Sequence, residues 1–247
     1  MVVQDIKMSP LQGIPSERVR KIRDKMLSQP FEYDLERARC YSRIWKQMED
    51  AHPSMKKAKA LEEFLRCLSI RIDSDELLVG VKSSKIRADP FEIELGRHVR
   101  TYDFLLDESI DEAAKDHFRR RNPIIRRYVP LTEQELNELK NDIIPVWKGK
   151  TLADRKEELW KEAGLFKEKN SSMERAMSWI NPFYAEMQGH TIPGYKRVLN
   201  IGFKGIEKRA TEELKKLRET DEDYEQRKTF YEAVQVTSQA VCDYSNR

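Results

Sequence analysis

The chain has 247 residues, of which 39% are hydrophobic and 36% are charged, enough apolar material for one large domain or two small ones. Lys and Arg number 46 against 43 Asp and Glu, and the net charge of +3 is too balanced to argue for a nucleic-acid or anionic-membrane partner. No apolar run approaches the roughly 20 residues of a membrane span, and the N-terminal sequence lacks the pattern of a secretory signal. We therefore expect a cytoplasmic protein.

The composition favours a mainly helical fold. Only nine glycines and ten prolines interrupt a chain that is rich in Glu, Lys, Arg, Leu and Ala. The three cysteines, Cys40, Cys67 and Cys242, have no metal-type spacing. Each lies in a helical or apolar context, so we interpret them as small buried hydrophobic residues rather than reactive thiols.

Helical spacing predicts three helices in the first 70 residues. Ser16 is a plausible N-cap for a short amphipathic helix over 17–29. A second helix is predicted from Asp34 to about Asp50, and a third begins at Pro53-Ser54. The second and third helices are expected to pack as a hairpin.

The pattern then changes to short β-rich runs. Residues 77–81 are predicted to form a strand. Between residues 82 and 104 the periodicity is poor, and the stretch 87–91 is predicted to be a loop. His98 in this region is interpreted as a surface or capping residue rather than a ligand.

Three capping boxes introduce helices in the middle of the chain. They begin at Ser109, Thr132 and Thr151, and the last two helices are expected to reach about Ile144 and Ala163. Arginines 119–121 and 126–127 form the most basic cluster. Acidic residues lie close by in sequence, so we interpret the cluster as an ion-paired face, with binding of a phosphate-bearing partner as the alternative.

The C-terminal part contains the feature of most chemical interest. After a predicted loop (164–172) and a short helix (173–180), His190 lies in a turn before Pro193-Gly194 and an apolar helical run. The run is expected to gather its apolar side chains on one face: Val198, Leu199, Ile201, Phe203 and Ile206. A break at 220–223 precedes a final apolar helix without a stop signal, from which we expect the chain to be part of a longer polypeptide.

Five segments, taken in order along the chain, resemble the N-terminal part of glycyl radical enzymes. They are 36–39, 55–61, 72–80, 147–151 and Gly189-His190 leading to 195–199, and the helix around 230–234 extends the match. The resemblance is to the pyruvate formate-lyase-like branch that holds the glycerol and hydroxyproline dehydratases. Residues 1–247 would form the N-terminal part, about the first third, of such a domain, and 85–127 is its least family-like stretch.

The resemblance implies a mainly α fold, the N-terminal helical portion of a ten-stranded α/β barrel with a few short strands. In the complete enzyme, the barrel holds a cysteine loop and a glycyl radical loop, and an activating enzyme that uses S-adenosylmethionine and an iron-sulfur cluster installs the radical. The complete enzyme is expected to be a homodimer that acts on a small-molecule substrate in anaerobic metabolism.

The sequence itself contains neither loop. Cys40, Cys67 and Cys242 do not match the family's thiyl position. We therefore expect no catalytic residue in this chain, no cofactor bound directly, and no activity of the chain alone without the missing C-terminal part. A non-catalytic helical interaction protein derived from such an enzyme is the alternative.

The resemblance does assign substrate contacts. His190 aligns with the histidine that hydrogen-bonds a substrate hydroxyl in the dehydratase-like members, and an imidazole can donate to or accept from such a group. Phe183 and Tyr184 fall near positions that line the same cavity. Gly194 departs from the aspartate that many relatives carry, which removes a possible helix cap or polar partner behind His190. His52 and His117 match no site residue and are interpreted as surface residues.

Overall fold

The structure, a computed structural model, describes residues 16–74, 83–121, 131–164 and 194–247. The described part is mainly helical, as the sequence predicts, with two short strands. The first elements are α1 (Glu17–Leu27), β1 (Glu32–Asp34), α2 (Glu36–Gln47) and α3 (Pro53–Cys67). They are followed by β2 (Ala88–Pro90), α4 (Arg97–Leu106) and α5 (Glu112–Arg121). The later elements are α6 (Glu133–Glu138), a π-helical turn (Leu139–Ile143), α7 (Ile144–Trp147), α8 (Leu152–Glu162), α9 (Tyr195–Lys216) and α10 (Tyr224–Ser245).

Side-chain caps fix most of the helix starts that the sequence predicts. The Ser16 hydroxyl accepts a hydrogen bond from the Val19 amide at 3.3 Å, and Thr132 and Thr151 form complete capping boxes. The expected box at Ser109 is wrong. Asp111 caps α5 instead, because its carboxylate accepts from the Ala114 amide at 2.8 Å. The stretch 145–151, predicted as a connector, is helical in its first part, where α7 runs to Trp147.

The second and third helices form the predicted hairpin, and α10 packs against α3 as well as against α9. The buried residues of α10 are all small, namely Ala233, Ser238 and Ala240, so neighbouring helices can approach it closely. At the chain end, the Arg247 guanidinium donates to the carbonyls of Leu65 at 2.7 Å and Arg66 at 2.8 Å. These bonds satisfy carbonyl groups in the last turn of α3.

The two strands correct two sequence expectations. The β1 strand pairs in parallel with β2, with Glu32 opposite Ala88 and Asp34 opposite Pro90. The stretch 87–91 is therefore not a simple loop, and Asp34 ends a strand while α2 begins two residues later. A three-residue strand is too short to show a periodic pattern, and its partner lies far away in sequence, so local reasoning does not detect it.

Helix α4 occupies the region of poor periodicity. Its buried face includes the polar residues His98 and Thr101. They weaken the apolar periodicity from which a helix is predicted. The helix follows Gly96, which has φ +96°, and a Cβ atom built there would lie 2.4 Å from the Thr151 hydroxyl oxygen. Only glycine fits this contact between α4 and the start of α8.

Trp147 lies at the centre of the main core. Its side chain is fully buried, its indole nitrogen donates to the Ser42 hydroxyl at 2.8 Å, and its ring contacts that of Trp45 at a centroid distance of 4.5 Å. The α2–α3 hairpin, the strand pair, α4 and the segment α6–α7 all contribute to this core. Other core residues are Tyr33, Leu35, Tyr41, Phe64, Phe91, Val99, Leu139 and Ile143.

The strand predicted at 77–81 and the helix predicted at 173–180 lie outside the described residues. Within the described ranges, none of the helices combines the length and the apolar character that crossing a lipid bilayer requires.

Candidate functional site

The residues predicted to contact substrate, Phe183, Tyr184 and His190, all lie outside the described residues, and their roles stay predictions. The structure describes the helix that follows them, α9, which begins at Tyr195. Gly194 occupies the N-cap position and gives the helix no side-chain hydrogen bond, while its carbonyl accepts from the Arg197 amide at 2.9 Å. An aspartate at this position could accept from the amides of the first turn, which a glycine cannot do.

The apolar face of α9 differs from the expected continuous stripe. Gly202 has φ +63° and ψ 179° and kinks the helix, which interrupts the stripe between Ile201 and Phe203. Before the kink, the Leu199 side chain is 84% exposed, whereas Phe203 and Ile206 beyond it are half-buried. The first two turns of α9 therefore present apolar side chains to the surface of the described part.

His98 is buried among aromatic rings, so its assignment as a surface residue is wrong. It is 3% exposed, its ring stacks on Phe91 at a centroid distance of 4.1 Å, and Tyr33 contacts its edge at 5.5 Å. Its Nε2 atom lies 4.0 Å from a carboxylate oxygen of Asp89. His98 and Tyr102 lie four residues apart on α4, and this helical spacing of two aromatic residues was the available sign of a buried face.

The Asp34 carboxylate organises the end of the strand pair. One oxygen accepts from the Glu36 amide at 2.8 Å. The other accepts from the Ser83 hydroxyl and the Ser84 amide, each at 2.7 Å, and from the Ser84 hydroxyl at 2.8 Å. Burial alone would raise the pKa of Asp34, but these hydrogen bonds outweigh it and lower the pKa below the ordinary value of 3.8. The arrangement holds residues 83–84 against β1, which is a structural role.

We expect Asp34→Asn to lower the free energy of unfolding by about 2 kcal/mol at neutral pH, because buried donors lose a charged acceptor. A lowered folded-state pKa contributes stability that is present above pH 3.8 and is lost as the pH falls through the folded pKa. Urea unfolding at pH 7 and pH 3 measures both effects. The difference in the free energy of unfolding between the wild type and Asp34→Asn should be smaller at pH 3 than at pH 7. The control variant Asp50→Asn, at an exposed turn, should leave the free energy of unfolding nearly unchanged at both pH values. A difference for Asp34→Asn that does not depend on pH would contradict the role assigned to the Asp34 carboxylate.

A cavity of about 350 Å³ lies beside α4 and α8. Its wall contains Val99, Phe104, Lys148 and an ion-pair cluster in which Arg100 bridges Asp154 and Glu157. Lys161 also pairs with Glu157, at 3.2 Å. The carboxylates neutralise the cations, so the cavity has no net excess of positive charge for an anionic ligand.

The remaining charged groups and the cysteines of the described part were also considered as ligand sites. The basic cluster is ion-paired where it is described: Arg119 contacts Glu112 at 3.3 Å and Arg120 contacts Asp116 at 2.5 Å. Across the described ranges, no group of three or more His, Cys, Asp or Glu side chains is placed to hold a metal ion. Cys40 is buried as expected, but Cys67 is exposed and Cys242 is half-buried.

Comparison with solved structures defines the class of fold. The chain superposes on the B12-independent glycerol dehydratase from Clostridium butyricum with a TM-score of 0.70 and 23% identity, covering 97% of this chain and 28% of that one. It superposes on a glycyl radical enzyme from Archaeoglobus fulgidus with a TM-score of 0.68 and 22% identity, covering 92% of this chain and 27% of that one. The fold is that of the N-terminal part of glycyl radical enzymes, and the chain covers their barrel only partly.

Comparison of sequences identifies the family. The model of the pyruvate formate lyase-like family matches residues 12–247, and the chain belongs to this family. A curated relative, the (2S)-3-sulfopropanediol dehydratase of Klebsiella oxytoca, is 25% identical over 233 residues. That alignment includes 94% of this chain but 26% of the relative. The chain thus spans about a quarter of the length of the relatives it matches.

Proposed function

We propose that this chain is the N-terminal part of a glycyl radical lyase of dehydratase type, acting on a small hydroxylated substrate in the cytoplasm of an anaerobic cell. The proposal is carried by the family match over residues 12–247. Dehydratases of Klebsiella oxytoca and Clostridium butyricum are among the similar proteins and support dehydration, while the similar isethionate sulfite-lyase of Desulfovibrio desulfuricans makes removal of a different leaving group the alternative reaction. In this proposal, residues 1–247 supply helices and the substrate contacts of His190, Phe183 and Tyr184.

The chemistry divides between this chain and the rest of the enzyme. A glycyl radical, installed by an activating enzyme that uses S-adenosylmethionine and an iron-sulfur cluster, would supply the hydrogen abstraction that starts the reaction. The part played by this chain is to bind and orient the substrate. His190 would hydrogen-bond a substrate hydroxyl and, as an imidazolium, could protonate the hydroxyl that leaves as water.

The exposed apolar side chains of the last two helices support a larger assembly. Tyr195 and Leu199 on α9 and Phe230 on α10 are each more than half exposed in the described part. Exposed large apolar side chains on neighbouring helices are typical of a surface that another polypeptide segment covers. The remaining part of the enzyme is the partner we propose for this surface, and the complete enzyme is proposed to be a homodimer.

Reconstitution tests the proposal. The chain is joined to, or co-expressed with, the polypeptide from the same locus that carries the cysteine and glycine loops, and it is activated anaerobically. Glycerol and (2S)-3-sulfopropanediol serve as probe substrates. We expect an electron paramagnetic resonance signal of the glycyl radical, together with conversion of a diol to an aldehyde by loss of water.

Three results would contradict it: absence of such a polypeptide from the locus, full activity when residues 1–247 are omitted, or a complex that carries the radical but dehydrates no hydroxylated substrate. Binding of the chain without effect on turnover would instead favour the non-catalytic interaction protein.

A further inference from the structure

We propose that Cys40 and Cys67 are a redox-active pair that forms a reversible disulfide between α2 and the end of α3 when the protein meets a peroxide. This modification site is independent of the proposed dehydratase activity. It depends on the register of the α2–α3 hairpin, on the shared neighbour Glu63, and on the different exposure of the two thiols to solvent.

The register of the hairpin places the two cysteines opposite each other. On one side of the pair, Glu36 of α2 accepts a hydrogen bond from the Ser69 amide at 3.1 Å. On the other side, Arg43 of α2 forms an ion pair with Glu63 of α3. Cys40 lies four residues after Glu36 and three before Arg43, and Cys67 lies four residues after Glu63, so each cysteine shares a helix face with residues that contact the other helix.

The two thiols are also near the same carboxylate. The Cys67 thiol donates to the Glu63 carboxylate at 3.4 Å, and Glu63 in turn pairs with Arg43 on α2, one turn from Cys40. Both cysteines are free thiols in this structure, and Cys67 is among the neighbours that raise the pKa of Cys40. A disulfide requires close approach of the two Cβ atoms, which neighbouring positions across a packed helical hairpin favour.

The two thiols differ in their exposure to solvent, so we expect Cys67 to react with the oxidant first and Cys40 to react second. Cys67 is exposed at the end of α3 and can meet a dissolved oxidant, whereas Cys40 is buried. Burial, and then the neighbouring Cys67 thiol, raise the pKa of Cys40 to about 11. Few Cys40 thiolates exist at neutral pH, so Cys40 reacts only with a partner that is held beside it.

The reaction balances in two steps with hydrogen peroxide as the oxidant. The Cys67 sulfur attacks the peroxide, the O–O bond breaks, and Cys67 becomes a sulfenic acid while one water leaves. The Cys40 sulfur then attacks the Cys67 sulfur, the S–O bond breaks, and a second water carries away the Cys40 proton. The two thiols are oxidised by two electrons, and the peroxide is reduced to two waters. A dithiol reductant reverses the change.

The test uses the full chain, reduced and then exposed to hydrogen peroxide. We expect the intact mass to fall by about 2 Da, because two thiol hydrogens leave. Proteolysis should yield one linked peptide containing Cys40 and Cys67, which dithiothreitol separates. Cys242→Ser should behave like the wild type. In Cys67→Ser the Cys40 thiol should stay reduced, whereas in Cys40→Ala the Cys67 sulfenic acid should accumulate and be trapped by dimedone.

The proposal is overturned if Cys67 oxidises to a sulfinic acid while Cys40 remains open to alkylation after unfolding. It is equally overturned if the product is a disulfide between two chains or one that includes Cys242. Because Cys67 is exposed, Cys67→Ser should keep its fold, and circular dichroism confirms this before the oxidation is interpreted. The linked peptide from the unmutated chain requires no variant to fold.

Discussion

Replacing His190 with alanine in the complete enzyme is expected to lower kcat/KM by roughly 100-fold or more, because a positioned acid or base contributes at least that much to proton transfer. The glycyl radical should form to the same extent, since His190 is proposed to contact the substrate and not the radical loops. Steady-state kinetics with the diol substrate and a spin count by electron paramagnetic resonance measure the two quantities separately.

The matched control is His52→Ala. His52 is exposed at the N-cap of α3, where its Nδ1 atom accepts from the Ser54 amide at 3.2 Å. Its loss should weaken the cap and leave kcat/KM unchanged. Wild-type turnover in His190→Ala would exclude His190 from the substrate site. A loss of the radical signal in that variant would point to a structural role instead.

The largest effect on folding is expected for Trp147→Ala, which should lower the free energy of unfolding by about 4 kcal/mol. The substitution leaves a cavity beside Trp45 in the main core and removes the donor to the buried Ser42 hydroxyl. Urea denaturation of the chain, followed by circular dichroism, gives the value.

Trp160→Ala is the control for this prediction. Trp160 is half-buried on α8, where its ring lies under the Lys156 ammonium group at 4.7 Å, and its loss should cost about 1 kcal/mol. If Trp147→Ala prevents folding, Trp147→Phe still allows a measurement, because it keeps most of the volume and loses the hydrogen bond to Ser42. Equal costs for the two alanine variants would contradict the central position of Trp147.

The helices could be predicted where their signals are local. Ser16, Thr132 and Thr151 mark helix starts within a few residues, and all three caps are present. The strand pair could not be predicted in this way, since Glu32 and Ala88 are far apart in sequence. The burial of His98 could not be predicted for the same reason: its partners are Tyr33 in β1 and Phe91, the residue that follows β2.

The candidate site could be predicted only in part from the sequence pattern. Periodicity predicts that His190 lies in a turn before a helix, but it predicts no function for the residue. The role of His190 as a substrate contact is implied by the family resemblance. The family itself is confirmed by the match over residues 12–247. Composition and spacing could not supply the role, because substrate contacts in a barrel come from segments far apart in sequence.

The packing of α10 on α3 also determines when α3 becomes covered. Arg247 and its acceptor Leu65 are separated by 182 positions, so this contact closes a long loop of the chain. Long-range contacts form late, since the entropy of loop closure must be lost before they stabilise anything. During synthesis, the face of α3 that packs against α10 therefore stays uncovered until α10 has emerged from the ribosome.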